Sequence, residues 1–236
     1  MTVEVLADAE AVADAVAVRL LDRVAALQAS GRREVHLALT GGTIATASYE
    51  RVGALAPGRE INWSGVHLWW SDERWVAADS DERNDHGARS GLGVVWEQAR
   101  VHQMPADDGV NPDSGLDAAA ADYDRELGET IFDICLLGLG PDGHIASLFP
   151  GHASERTPGR VIAVRQSPKP PPSRISLTLE VINNSVEVWF VATGAEKADA
   201  AARALNGDDA LPSGRAHGSS RTNWWLDEAA AGHLDT

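Results

Sequence analysis

Cysteine is almost absent from this 236-residue chain. The single one, Cys135, rules out an intrachain disulfide, and its position inside an apolar run marks a buried, inert thiol suited to a reducing cytoplasm. Long hydrophobic runs are missing as well. Asp8, Glu10 and Asp14 interrupt the segment from Met1 to Ser30, which therefore reads neither as a secretory leader nor as a span, and no later run is long enough to cross a bilayer. Positive charge is scarce: 20 Lys and Arg stand against 35 Asp and Glu, a formal net charge of −15. General nucleic-acid binding is excluded on that ground, because phosphate backbones are held by clustered cations. Any anionic ligand must be held by a few local ones. Neither a Cys/His metal spacing nor a G-x-S-x-G nucleophile elbow occurs, so no metal or cofactor is expected. Internal repeats and long low-complexity linkers are also lacking.

What remains is 44% hydrophobic, enough for a sizeable core, and residues 1–236 are expected to form one α/β domain. Asp8 can cap a helix carried by Val12, Val16, Leu20, Val24 and Leu27, with Gly31 just past its end. Val35 to Leu39 reads as a strand, and the turn Thr40-Gly41-Gly42-Thr43 separates it from a helix over Ile44 to Val52. That turn is either a tight connection or an anion site at a positive helix end. A strand over Val66 to Trp70 runs into Ser71-Asp72-Glu73-Arg74, a solvated turn or a pocket wall. Asn84 begins a short helix in which His86 is a cap or surface residue. Val101 to Met104 is a further short strand, and Leu116 to Leu127 an Ala-rich helix.

The chain is organised around the stretch from Ile134 to Pro150. Ile134 to Leu137 is an unbroken apolar run, as in a strand covered on both faces, and Gly138, Gly140, Pro141, Asp142 and Gly143 then force a tight loop that ends in His144. A titratable imidazole at the carboxyl end of a buried strand is where open α/β proteins place their chemistry. Strands follow over Val161 to Val164, Ile175 to Leu179 and Val186 to Val191. Between the first two, Pro170-Pro171-Pro172 stiffens a connector that can hold Lys169 or Arg174 steady, serve as a spacer, or dock a partner. Thr193 to Lys197 leads into a helix over Ala198 to Leu205, with Lys197 near its positive end as either a phosphate ligand or a surface residue. The tail from Asn223 to Ala231 reads as a last strand and a short helix. Buried strands alternating with helices predict a doubly wound, mainly parallel sheet with helices on both faces. The loops Thr40–Thr43, Ser71–Arg74, Gly138–His144 and Thr193–Lys197 would then converge on one crevice.

Gly138-Leu139-Gly140-Pro141-Asp142-Gly143 also fits G-x-G-x-x-G, the dinucleotide fingerprint. Pro141 removes a donor, and Asp142 would face the pyrophosphate. The next predicted strand, moreover, ends at Arg165 instead of at a ribose-binding acid.

Taken together, Trp70-Ser71-Asp72-Glu73-Arg74, Asn84-Asp85-His86, the block Leu136 to Gly151, Pro168-Lys169-Pro170-Pro171 and Thr193-Gly194-Ala195-Glu196-Lys197 resemble the 6-phosphogluconolactonase family. A sibling family, the glucosamine-6-phosphate deaminases, shares the Asp-Gly-His-Ile-Ala segment but usually follows it with Phe-Asn-Glu-Pro, where Ser147-Leu148-Phe149-Pro150 stands here. Gly214 to Arg221 does not match well. The resemblance implies a cytoplasmic hydrolase acting on 6-phospho-D-glucono-1,5-lactone, a small sugar-phosphate lactone, in the second step of the oxidative pentose phosphate pathway. His144 would be the general base, and Asp142 would orient its ring. Amides around Gly140 and Gly143 would receive the oxyanion, while Gly41, Gly42, Thr43, Asp72, Arg74, Arg174 and Lys197 would bind substrate. A deaminase-like isomerase and a non-catalytic sugar-phosphate-binding protein are the alternatives.

Overall fold

The computed structural model describes residues 1–110 and 112–234, with residues 112–114 described by their backbone only. In chain order the elements are β1 (Thr2–Leu6), α1 (Ala9–Ala29), β2 (Val35–Leu39), α2 (Thr43–Leu55), β3 (Val66–Trp70), β4 (Asp72–Arg74), α3 (Asn84–Leu92), α4 (Val94–Gln98), β5 (Arg100–Val101) and α5 (Pro112–Leu127). After these come β6 (Ile134–Gly138), β7 (Val161–Val164), β8 (Arg174–Leu177), α6 (Leu179–Asn184), β9 (Glu187–Ala192), α7 (Ala198–Leu205), α8 (Pro212–Arg215) and β10 (Arg221–Asp227).

Seven strands form a parallel sheet in the order β1-β10-β9-β6-β2-β3-β5. Both of its faces are covered. Leu37 and Leu39 of β2 and Leu68 of β3 line a small void together with Leu20 and Leu21 of α1 and Val52 of α2. On the opposite face the Trp69 ring meets Tyr123 of α5 at a centroid distance of 5.8 Å. This two-sided burial explains the unbroken apolar run of Ile134 to Leu137 in β6 and of Val188 to Ala192 in β9. From β2 the chain moves outward to β3 and β5, then returns to the other side of β2 to lay down β6, β9 and β10. The order therefore reverses between β2 and β6, and loops leaving those two strands diverge to opposite faces and leave a crevice.

Several elements depart from the sequence reading. The expected polar turn at Ser71 to Arg74 is in part strand β4, which pairs antiparallel with β8, and β8 with β7, in a separate three-stranded sheet. Ile175 to Leu179, expected to be half-exposed, is buried from Arg174 to Thr178 and leaves the strand at Leu177, because Thr178 already starts α6. Only Arg100 and Val101 pair in the strand expected at Val101 to Met104, and turns replace the helix expected after Asp227. The edge strand β1 had no counterpart in the reading. Among the described residues, no helix is long and apolar enough to cross a membrane.

Candidate active site

A cavity of about 410 Å³ opens at the carboxyl ends of β2, β6 and β9. It is framed by the loops that follow these strands, by β4 and β8 of the small sheet, and by the proline run. The β2 loop owes its shape to residues without side chains. Gly42 takes φ +104° as the cap of α2, and a Cβ at Gly41 would collide with the Asn84 amide. The first-turn amides of α2, which no helix can satisfy internally, thus come to the cavity wall beside Thr43 and Ile44. Tyr49 fixes the strand end behind them: its buried hydroxyl accepts from Thr40 N–H at 3.0 Å and donates to Thr40 C=O at 2.9 Å.

After β6, the glycine loop wraps around His144. Gly140 N–H donates to the His144 carbonyl at 2.9 Å, and a Cβ at Gly140 would run into the imidazole. His144 Nδ1 stands 2.5 Å from Asp142 Oδ1. Lys169 Nζ lies 3.7 Å from the same oxygen and 3.4 Å from Nδ1. Partial burial opposes ionisation of Asp142, but the hydrogen bond and charge of His144, with Lys169 behind them, outweigh it and hold the carboxyl well below its usual range. Asp142 is therefore an anion at neutral pH and accepts the Nδ1 proton. In the neutral imidazole this leaves Nε2 with its lone pair. Phe149 packs on the ring at 4.6 Å and limits its rotation.

Cations gather on the remaining walls. The chain has only two lysines, Lys169 and Lys197, and both line the cavity, as do Arg74 and Arg174. Arg74 and Arg174 are register partners across β4 and β8. Their surroundings differ. Arg74 donates from Nη1 to Glu82 C=O at 2.8 Å, while its buried Nε has no hydrogen-bond partner among the described residues. Arg174 is 4% exposed and its guanidinium donates to the carbonyls of Lys169, Pro170 and Pro171. It holds the proline run in place, and with it Lys169. Burial lowers the Lys169 ammonium pKa, Asp142 opposes that shift, and Lys197 and Arg174 add to it. Asp72, 5% exposed, accepts from Ser147 Oγ at 2.7 Å.

The cavity wall therefore holds Gly41, Gly42, Thr43, Asp72, Arg74, Gly140, His144, Arg174 and Lys197. Asp142 sits behind His144 and is not part of the wall. Gly143 lies elsewhere: a Cβ there would press on Leu211, and its N–H donates to Gly140 C=O at 2.9 Å. The oxyanion donors expected at Gly140 and Gly143 are thus already used in closing the loop, a correction that follows from the tightness of the turn. His86 bonds Ala78 C=O, His152 bonds Ser154 and Arg165, and neither lines the cavity. Lys169 and Asn84 also stand in the wall, beyond the residues expected to act on substrate. Lys169 was visible as the lysine inside the proline run. Asn84, whose Nδ2 donates to Asp72 C=O at 2.9 Å, looked only like a helix start.

A family model described as glucosamine-6-phosphate isomerases/6-phosphogluconolactonase matches residues 7–225. The chain belongs to this family. Among relatives of the isomerase/lactonase family, the 6-phosphogluconolactonase of Streptomyces coelicolor is 43% identical, with 96% of this chain and 92% of that protein covered. The human 6-phosphogluconolactonase is 32% identical, with 97% and 92% covered. The crystal structure of the 6-phosphogluconolactonase from Thermotoga maritima superposes with a TM-score of 0.81 at 26% identity, covering 96% of this chain and 99% of that one. The family's name joins an isomerase to a hydrolase, so membership leaves the reaction to be argued from the cavity and from these relatives.

Proposed function

We propose that this protein hydrolyses 6-phospho-D-glucono-1,5-lactone to 6-phospho-D-gluconate in the oxidative pentose phosphate pathway. One observation carries the reading: an imidazole oriented by a carboxylate lines a cavity whose wall also holds Arg74, Lys169, Arg174, Lys197 and the start of α2. Relatives named 6-phosphogluconolactonase at up to 43% identity over nearly the whole chain support the same reaction.

Water is a weak nucleophile at neutral pH and the C1 carbonyl of a lactone is only moderately electrophilic, so removing a proton as the oxygen attacks lowers the barrier. His144 Nε2 takes that proton, and Asp142 stabilises the imidazolium that results. The C1 carbonyl becomes a tetrahedral oxyanion. Lys169, whose Nζ stands 3.4 Å from His144 Nδ1, is the cation beside the ring and takes this role in place of the glycine amides. The intermediate then collapses: the C1–O5 bond breaks, O5 takes the proton back from His144, and the open-chain acid loses its own proton to water. At the other end of the substrate, Lys197, Arg74 and the α2 amides bind the phosphate, and Thr43 and Asp72 take sugar hydroxyls.

The lactone also hydrolyses without a catalyst, so the test is a coupled assay with glucose-6-phosphate and both pathway dehydrogenases. Formation of 6-phosphogluconate should accelerate in proportion to added protein. A rate equal to the spontaneous one sinks the reading, and ammonia release from glucosamine-6-phosphate would put the isomerase in its place.

A further inference from the structure

The strands that end at the cavity begin at the opposite edge of the sheet, and a second group of titratable side chains stands there. His36 of β2 and His67 of β3 are register partners, and Arg100 of β5 is the register partner of His67. These three residues form one row on one face. The two imidazoles stack at 4.3 Å. Glu34, just before β2, places Oε1 3.2 Å from Arg100 Nη1 and 3.8 Å from His67 Nε2.

The hydrogen bonds assign the tautomers of two of the rings. Glu126 Oε1 lies 2.6 Å from His102 Nδ1 and, as a carboxylate, can only accept, so in the neutral ring His102 carries its proton there and leaves Nε2 bare. His67 Nδ1, 2.9 Å from that bare nitrogen, must donate to it. The lone pair of His67 is therefore on Nε2, directed toward Glu34 and Arg100.

We propose that Glu34, His36 and His67 form a binding site for a divalent transition-metal cation of the zinc class. Their ligand atoms all lie within 4.8 Å of one another. Metal bonds of about 2.0–2.2 Å to nitrogen and oxygen set ligands roughly 3.3–3.5 Å apart, so the site must contract by about 1 Å. Glu34 Oε1, on a side chain 57% exposed, already stands 3.8 Å from His67 Nε2, so most of that closure falls to His36, whose ring must tilt out of its stack on His67. A cation already occupies the place: the Arg100 guanidinium lies against both Glu34 and His67 and, at 58% exposed, can swing into solvent. The Glu126–His102–His67 relay is the kind of outer support that orients a ligating histidine and raises its basicity. His36 now accepts from the Trp69 indole at 3.2 Å, a long bond that it exchanges for the metal. No local spacing marks the site, because its ligands come from the start of β2 and from β3, about thirty residues apart.

Calorimetric titration of the full chain with Zn²⁺ at pH 7.5 tests the proposal. One equivalent should bind, and Mg²⁺, which imidazole suits poorly, should give no heat. Arg100→Ala removes the competing cation and should tighten zinc binding by about tenfold, Glu34→Gln should weaken it by about tenfold, and His67→Gln should abolish it. If His67→Gln fails to fold, the opposite shifts at the two exposed positions still decide. Failure of both the wild type and Arg100→Ala to take up zinc overturns the proposal. Equal affinity in the wild type, Glu34→Gln and Arg100→Ala also overturns it, by placing the metal on other histidines.

Discussion

At the scale of single residues the proposed chemistry rests on His144 and on the carboxylate that sets its tautomer. His144→Ala should leave the fold intact and lower kcat by ~10²–10⁴-fold, the usual effect of losing a positioned general base, when measured against the spontaneous background. Asp142→Asn keeps the shape but removes the acceptor for Nδ1–H, and it makes a second, sign-specific prediction. The folded carboxyl is held below its ordinary value of 3.8, so its contribution to stability is present above that pH and is lost as pH falls toward the folded value. The stability gap between the wild type and Asp142→Asn in urea titrations should therefore be full above about pH 5 and narrow progressively as pH falls below 3.8. A gap that widens on acidification would reverse the assignment. Lys197 is tested by substrate preference. Lys197→Ala should reduce kcat/KM for the phospholactone by about one to two powers of ten, the equivalent of roughly 1.5–3 kcal/mol for a charged hydrogen bond, while use of unphosphorylated gluconolactone changes little. An unchanged preference would move the phosphate toward Arg74.

At the scale of elements, the protein's two tyrosines do the same work on neighbouring strands. Tyr49 of α2 bonds both backbone groups of Thr40 at the end of β2, and Tyr123 of α5 bonds N–H and C=O of Trp70 at the end of β3. Each helix thereby fixes the point where a strand turns into the cavity wall. Tyr49→Phe should leave the buried Thr40 N–H unpaired at a cost of about 1–3 kcal/mol. In a chain of this length that is a fall of ~2–10 °C in Tm by calorimetry, with kcat/KM reduced because the Gly41–Thr43 turn loses its anchor. The parallel sheet was legible because two-sided burial writes unbroken apolar runs at Ile134 to Leu137 of β6 and Val188 to Ala192 of β9. The loops after β2, β6 and β9 were legible because tight turns need glycine, which the sequence shows as Gly41, Gly42, Gly138, Gly140 and Gly194. The small antiparallel sheet was not. Its strand β4 is Asp72-Glu73-Arg74, with no apolar alternation to mark it, and its pairing with β8 spans about a hundred residues. The same lack of local signal hid Asn84, whose place in the wall depends on that pairing.

At the scale of the whole molecule the net charge of −15 sets a contest between two electrostatic effects that salt weakens differently. Exposed ion pairs such as Arg51–Glu10 at 2.6 Å, Arg59–Asp22 at 2.6 Å and Arg165–Asp117 at 2.9 Å favour the fold, and each is worth about 0–1 kcal/mol. The surplus of carboxylates opposes it through repulsion summed over the full diameter of the molecule. Raising ionic strength from 0.01 to 0.15 M shortens the Debye length from about 30 Å to about 8 Å. Pairs in direct contact lie well inside either length and lose little, whereas repulsion between carboxylates on opposite sides is removed almost entirely. Long-range repulsion is therefore the larger change. Tm should rise between 10 and 150 mM NaCl by ~2–4 °C for each kcal/mol of repulsion relieved, and KCl should act equally because the effect is one of screening. A Tm that falls over this range would show that the contact pairs, and not the acidic surplus, dominate the electrostatics of the fold.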